Sequence, residues 1–395
     1  AAVMMYAFNG THDTLTLTEQ EMQYVYHVHK KEVSFESKAT KAMVSCPNRY
    51  IFVNTHTYGR HHNQLQEFMN IIMWAALLNR TAVLGWFRIG KKWMDPAELY
   101  DFSTVAQRYC VVTTDVMHQQ LNRTGLLGGG SYACYGQCVR DTPLRHLSRH
   151  LRLLKQSPRL PPYFSWMDHE SVMRRVVPLI RAAHADLVVL GGAYAFFLRR
   201  GLVHHAAIYA LLRPSLRVQQ RVDAFLRHSF TTRSRFFAVH VRHRELMCNK
   251  EMDVHLPALR RYTEMRPEEE QQLRAQCNIS IPYLAALHAS LGLQLFAFPL
   301  FVAHDSQDLY TVQLLAAHGA RLYDKEHYAQ FEDCAEGLCA LAVDYFLLTK
   351  GEYFSGNALS SVSQNVCFAR LGRGMACHGM GPALIRMLSR DAQDI

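Results

Sequence analysis

Residues 49–86 constrain the fold more than any other stretch. The run "RYIFVNT" (49–55) is short, apolar and rich in β-branched and aromatic residues, which predicts a buried strand. A polar turn with Tyr58, Gly59 and Arg60 follows. Leu65, Phe68, Met69, Ile72, Met73, Ala76 and Leu77 then recur at helical spacing, which predicts an amphipathic helix close to full burial. "TAVLGW" (81–86) predicts the next strand. Strand, loop, helix and strand in so short a span make a βαβ unit, and such a unit demands a parallel sheet.

Similar signals recur along the chain. "YCVVTT" (109–114) and "DLVVLGG" (186–192) predict strands, and "SLRVQQRVDAFLRHSF" (215–230) predicts a helix. "GLLGGGSYACYGQC" (125–138) reads as a flexible glycine-rich loop, and "QSPRLPPY" (156–163) as a proline-rich connection. A second α/β series begins at "RFFAVHVR" (235–242). It continues with strands at "FPLFVAHDS" (298–306), "ARLYDK" (320–325) and "EYFSGN" (352–357). Helices are expected over 334–350 and 360–372, the latter opened by serines that suit an N-cap. The 395 residues therefore divide into an extension (1–45, with a helical pattern at 16–33), a first α/β domain (46–230) and a second (231–395).

Composition narrows the class. Hydrophobic residues make up 49% and charged residues 19%, so the chain folds. No apolar run reaches the roughly 18–20 residues of a membrane span. The formal charge of +10 favours an anionic partner. The densest basic stretch, 145–160, lacks the interleaved aromatics and glycines of a nucleic-acid face, so nucleic acid is not the expected partner. The ten cysteines form no paired CxxC knuckles, and their even number fits disulfides. The histidines show no zinc-type spacing with a third ligand, so no metal is expected. Sequons at Asn9, Asn79, Asn122 and Asn278 point to a secretory lumen. The opening "AAVMMYAF" reads as a trimmed lumenal portion, which leaves open a membrane anchor in the full-length protein.

Three places carry chemistry. "VHVRHRE" (239–245) ends a strand, where open α/β sheets bind ligands. His240 and Arg242 share one face there, and the arginine fork matches phosphate oxygens. "EYFSGNALSSVSQNV" (352–366) runs from a strand through glycine to a helix start, where free N–H groups hold anions. Ser360, Ser361 and Ser363 add hydroxyls around Val362. "GRHHNQ" (59–64) places Arg60, His61, His62 and Asn63 between a strand and a helix, with Gly59 permitting the tight turn. Each has a bland reading as well: a solvated strand end, a serine cap, a polar loop. His204 and His205 read as ordinary surface or packing residues.

Taken in order, these segments resemble the GDP-fucose protein O-fucosyltransferase family. "GRHHNQLQEFMNIIMWAALLNRTAVL" is similar to that family's first loop and helix, and "VHVR" to its HxR element. "FVAHDS" is similar to its strand ending in Asp, and "DYFLLTKGEYFSGNALSSVSQNV" to its last strand and phosphate-binding helix. The likeness spans roughly residues 48–375. It implies a GT-B fold of two Rossmann-like domains facing a cleft. It implies inverting transfer of L-fucose from GDP-fucose to a protein or glycan hydroxyl, in the endoplasmic reticulum or Golgi lumen, with no obligatory cofactor.

Carried over by position, Arg242 would meet the β-phosphate and the breaking glycosidic oxygen. His240 and Asn63 would hold the nucleotide sugar, Arg60 would brace the first loop, and Asp305 would bind the guanine. The segment Ser360–Ser363 would bind the diphosphate. The branch that acts on thrombospondin repeats has a glutamate in the first loop, where this chain has His61 and His62. One of them, or Glu67, is then expected to take the acceptor proton. A transferase for another nucleotide sugar and a catalytically silent glycan-binding protein are the competing readings. The acceptor itself stays open.

Overall fold

The computed structural model describes residues 46–54, 61–89, 92–135, 152–157, 177–182, 184–191, 202–230, 235–242, 265–305, 310–323 and 338–378. It also describes 248–250, 252–254, 256–257 and 260. The extension 1–45, the proline-rich connection beyond Ser157 and the turn at 55–60 lie outside the described residues.

Two parallel sheets organise the chain. The first contains β1 (Tyr50–Asn54), β2 (Thr81–Leu84), β3 (Val111–Thr113), β4 (Ser131–Tyr135), β5 (Arg152–Ser157) and β6 (Leu187–Gly191). Their order is β3-β2-β1-β6-β4-β5, and every pairing is parallel. The second contains β7 (Phe237–Val241), β8 (Leu300–His304), β9 (Arg321–Leu322) and β10 (Tyr353–Gly356), in the order β9-β8-β7-β10, again all parallel. In β7, Phe237 pairs with Leu300 on one side and Tyr353 on the other. Between the strands run α1 (His61–Leu78), α2 (Thr114–Arg123), α3 (Leu202–Leu211), α4 (Leu216–Ser229), α5 (Pro267–Ala275), α6 (Ile281–Ser290), α7 (Tyr310–Ala317), α8 (Leu338–Lys350) and α9 (Ser361–Leu371).

Strand alternation assigns the faces. Tyr50 and Phe52 join Met117 and Leu121 of α2 on the outer face of the first sheet. Phe237, Val239 and Val241 join Leu284 of α6 and Leu315 of α7 on the outer face of the second. The inward residues Ile51, Val53, Ala238, Phe301 and Phe354 belong to one unbroken core with Trp74, Tyr209, Phe346 and Phe368. Helices α1, α3, α8 and α9 thus fill the space between the sheets. Covering both faces explains why the strands read as continuous apolar runs.

Two buried arginines tie strand ends by bonding to carbonyls. Arg80 Nη1 donates to the oxygens of Ala185 (2.8 Å) and Tyr50 (3.2 Å). Arg370, fully buried, donates to Ala376 O (2.7 Å), Glu352 O (2.7 Å) and Gly351 O. Disulfides join Cys46 to Cys110, Cys248 to Cys277 and Cys367 to Cys377. Such bonds persist in oxidising compartments, in agreement with a secreted or lumenal chain. No helix among the described residues is long and apolar enough to cross a membrane.

The sequence reading fails in three places. The expected glycine-rich loop at 125–138 contains a helical turn, Leu126–Gly129, followed by β4. Strand β4 pairs on both sides, with β5 and β6, and that pairing overrides the glycine signal. Helix α1 begins at His61, so the histidines form its first turn and are not a loop. Helices α2, α3, α5, α6 and α7 and strand β5 carry no signal in the sequence reading, and β5 takes in residues 156–157 of the expected proline-rich connection.

Candidate functional site

In the second sheet the chain order changes direction beside β7, with β8 on one flank and β10 on the other. Ligands of open α/β sheets bind outside the carboxyl ends of strands at such a point. Strand β7 delivers His240 and Arg242 there. After β10, the turn 357–360 delivers the start of α9. The start of α1, which follows β1 of the first sheet, lies in the same region.

These three pieces touch. His240 Nδ1 lies 3.0 Å from Ser363 Oγ on α9. Asn365 Nδ2 donates to His62 O (2.9 Å) and lies 3.3 Å from His62 Nδ1. Tyr209 OH, on α3, donates to Asn365 Oδ1 (2.8 Å). Gln66 Nε2 donates to Gln364 Oε1 (3.2 Å). The first two turns of α1 and α9 are therefore pinned together. Asn365, Tyr209, Gln66 and Gln364 were not foreseen; Asn365 and Gln364 were visible only as the polar residues following the serine run.

Ser360 stands at the N-cap of α9, but its side chain does not cap the helix. Its Oγ is buried and has no hydrogen-bond partner, whereas Ser215 and Ser280 cap α4 and α6 in the ordinary way. A free hydroxyl beside free N–H groups makes an anion seat, and the helix dipole adds to it. Ser361 and Ser363 are buried and Val362 is half-buried, packed against the core.

One fixed cation, Arg242, stands among neutral imidazoles here. Burial, aided by Arg242, His62 and His304, pushes His240 down to about 3. Burial also pushes His62 down to about 3; the Leu341 backbone opposes this and Arg242 adds to it. Both imidazoles are thus held neutral beside a guanidinium. Arg242 Nε stands 4.0 Å from Asp305 Oδ2, and both side chains are partly exposed. His61 faces away from this group. Its Nε2 is 3.0 Å from Tyr100 OH, and its ring packs on Phe87 and Tyr100. Burial and His62 hold His61 well below its usual range.

Of the expected site residues, Arg242, His240, His62, Ser360, Ser361 and Ser363 come to one region. Asp305 joins them through Arg242. Asn63 is half-buried in the first turn of α1, and Glu67 is buried one turn on. Arg60 lies outside the described residues. His205 is a packing residue, its Nε2 2.7 Å from Asn70 Oδ1. Among the described residues, no group of three or more His, Cys, Asp or Glu is arranged to hold a metal ion.

The chain was compared with known proteins. No protein-family model matches it, and no curated protein is significantly similar. Solved structures do match. POFUT1 in complex with GDP-fucose superposes with a TM-score of 0.57 at 20% identity, over 83% of this chain and 96% of that one. POFUT1 in complex with GDP gives 0.53 at 19% identity, over 82% and 95%. The chain has the GT-B fold. In that fold the region built above lies between the two sheets, at the carboxyl ends of their strands.

Proposed function

We propose that this chain is an inverting glycosyltransferase that moves L-fucose from GDP-fucose to a hydroxyl of a protein or glycan acceptor, in the lumen of the endoplasmic reticulum or Golgi. One observation carries the reading. Arg242, His240 and the unspent hydroxyl of Ser360 at the start of α9 converge at the switch point of a sheet whose fold is that of POFUT1, a protein solved with GDP-fucose. On this reading the two sheets act as two domains, 46–230 on the acceptor side and 231–395 on the donor side.

The chemistry fits those residues. Breaking the sugar–phosphate bond develops positive charge on the sugar carbon and negative charge on the departing diphosphate. Arg242 and the α9 start are fixed donors aimed at that negative charge. His240, held by Ser363, positions the nucleotide sugar together with Asn63. Arg60 braces the turn before α1, and Asp305 takes the guanine edge. Inversion requires a group to remove the acceptor proton, and His61, His62 and Glu67 are its candidates.

The test is a donor panel. Purified protein is incubated with GDP-fucose, GDP-mannose and UDP-sugars, and released nucleoside diphosphate is measured. Release from GDP-fucose alone supports the reading. Release only from another donor moves the chain to a different transferase activity. No release, with glycan binding retained, makes it a binding protein.

A further inference from the structure

The bonds around Asn365 fix more than position. A backbone carbonyl can only accept, so the Asn365 atom 2.9 Å from His62 O is the amide nitrogen. The amide oxygen then faces Tyr209 OH, which must donate to it. The same amide nitrogen lies 3.3 Å from His62 Nδ1. Two N–H groups cannot point into that gap. Nδ1 therefore carries a lone pair. A neutral imidazole holds one proton, and only Nε2 is left to bear it.

We propose that Tyr209 and Asn365 lock His62 in the tautomer protonated on Nε2, so that His62 is a fixed hydrogen-bond donor in this site and not the group that removes the acceptor proton. The inference rests on the transferase reading above and narrows its candidates to His61 and Glu67. Three observations agree with it. The ring is buried, and Nε2 has no partner in the structure. Such a donor is costly unless a bound state completes it. The groups that face His62 are the Leu341 backbone, the Arg242 guanidinium, the His240 imidazole, the Asn365 amide, the Tyr345 ring and the edge of His61; among these no carboxylate is present to hold a second proton. Burial outweighs the opposing Leu341 backbone and, with Arg242, keeps the ring neutral at physiological pH. The partner we assign to Nε2–H is an oxygen of the bound nucleotide sugar or acceptor, entering beside Arg242.

The test has a spectroscopic arm and a kinetic arm. The first uses protein labelled with 15N-histidine, and subtracts the spectrum of His62→Gln to isolate one ring. A protonated Nε2 and a bare Nδ1, unchanged from pH 8 to pH 5, are expected. Asn365→Asp should bring the proton to Nδ1, because the carboxylate accepts where the amide donated. A native ring protonated on Nδ1, or one that titrates between pH 6 and 7, overturns the proposal.

The kinetic arm compares His62→Gln with His62→Ala in kcat and KM. The glutamine amide keeps an N–H near Nε2 but cannot serve as a base. It should keep kcat within about tenfold of native, whereas loss of a true base costs about 10²–10⁴-fold. A His62→Gln kcat as low as that of His62→Ala, with native donor affinity, overturns the proposal. Should the chain transfer no sugar at all, the transferase reading fails while the labelled spectrum still decides the tautomer.

Discussion

Gly356 closes β10 opposite His240, and it has no room for a methyl group. A Cβ built there would stand 2.4 Å from Ser363 Oγ, 2.9 Å from Phe354 Cζ and 3.1 Å from Ser363 Cβ. The hydroxyl can rotate away, but only by giving up its contact with His240 Nδ1. The ring and Ser363 Cβ cannot rotate away, so the first turn of α9 must move. Overpacking of this kind costs about 1–3 kcal/mol. The lost buried hydrogen bond adds about 1 kcal/mol. Gly356→Ala should therefore lower stability by about 2–4 kcal/mol in urea unfolding. Displacing the anion seat should also weaken GDP binding in calorimetry by about tenfold, the equivalent of ~1.4 kcal/mol. Removing the serine hydroxyl relieves the tightest contact only. The double variant with Ser363→Ala should thus be less destabilised than the sum of the two single changes. Native stability with native GDP affinity, or strict additivity in the double variant, would refute the reasoning.

Further predictions concern charge and burial. Arg242→Ala should cut kcat by about 10²–10³-fold, the usual loss for one fixed donor on a leaving group. Its thermal transition should stay native, because the side chain is partly exposed and its approach to Asp305 is long at 4.0 Å; turnover near the native rate would remove Arg242 from the reaction. Arg370→Met removes the donor from one buried carbonyl, Gly351 O, and two part-buried ones, at up to about 1–3 kcal/mol each before relaxation. Urea unfolding should show a loss above about 3 kcal/mol, with Arg370→Lys recovering only part of it. Acid should destabilise the fold. His62 and His240 are held down to about 3 and His378 to about 4, so the unfolded chain takes up these protons first. Their contribution is complete above the ordinary histidine value near 6.5 and is lost as pH falls towards 3–4. Each costs about 1.4 kcal/mol per pH unit in that window. A urea midpoint that stays flat from pH 7.5 to pH 5.5 would count against this.

Parts of this architecture are written locally, and those parts were legible. β1, α1, β2, β7, β8, α8, β10 and α9 each have an apolar period of their own, so the sequence places them within a few residues. β4 has no such signal. Its glycine-rich approach looks like a loop, and its identity as a strand comes from the neighbours on either side. Helices α3, α6 and α7 have apolar residues spread around them and carry no clear stripe. The site divides in the same way. Arg242, His240 and the serines stand at strand and helix ends that any reading of the sequence marks. Asn365 and Tyr209 lie 156 residues apart and acquire meaning only when α3 packs beside α9. The histidine pair was visible, but its orientation was not: His61 turns to Tyr100 and His62 to Asn365.

The packing of α9 on α3 also sets the unit of inheritance. A Cβ at Gly372 would meet the carbonyl oxygen of Ala206 at 2.1 Å, so the backbones of these two helices nearly touch. One follows the first sheet in the chain and the other follows the second. Two-lobed GT-B folds invite the recombination of one lobe from each of two parents. In this chain the seam of such a hybrid cannot run between the lobes. Segments 61–78, 202–211 and 361–372 have to come from the same parent, whichever lobe the remainder is taken from.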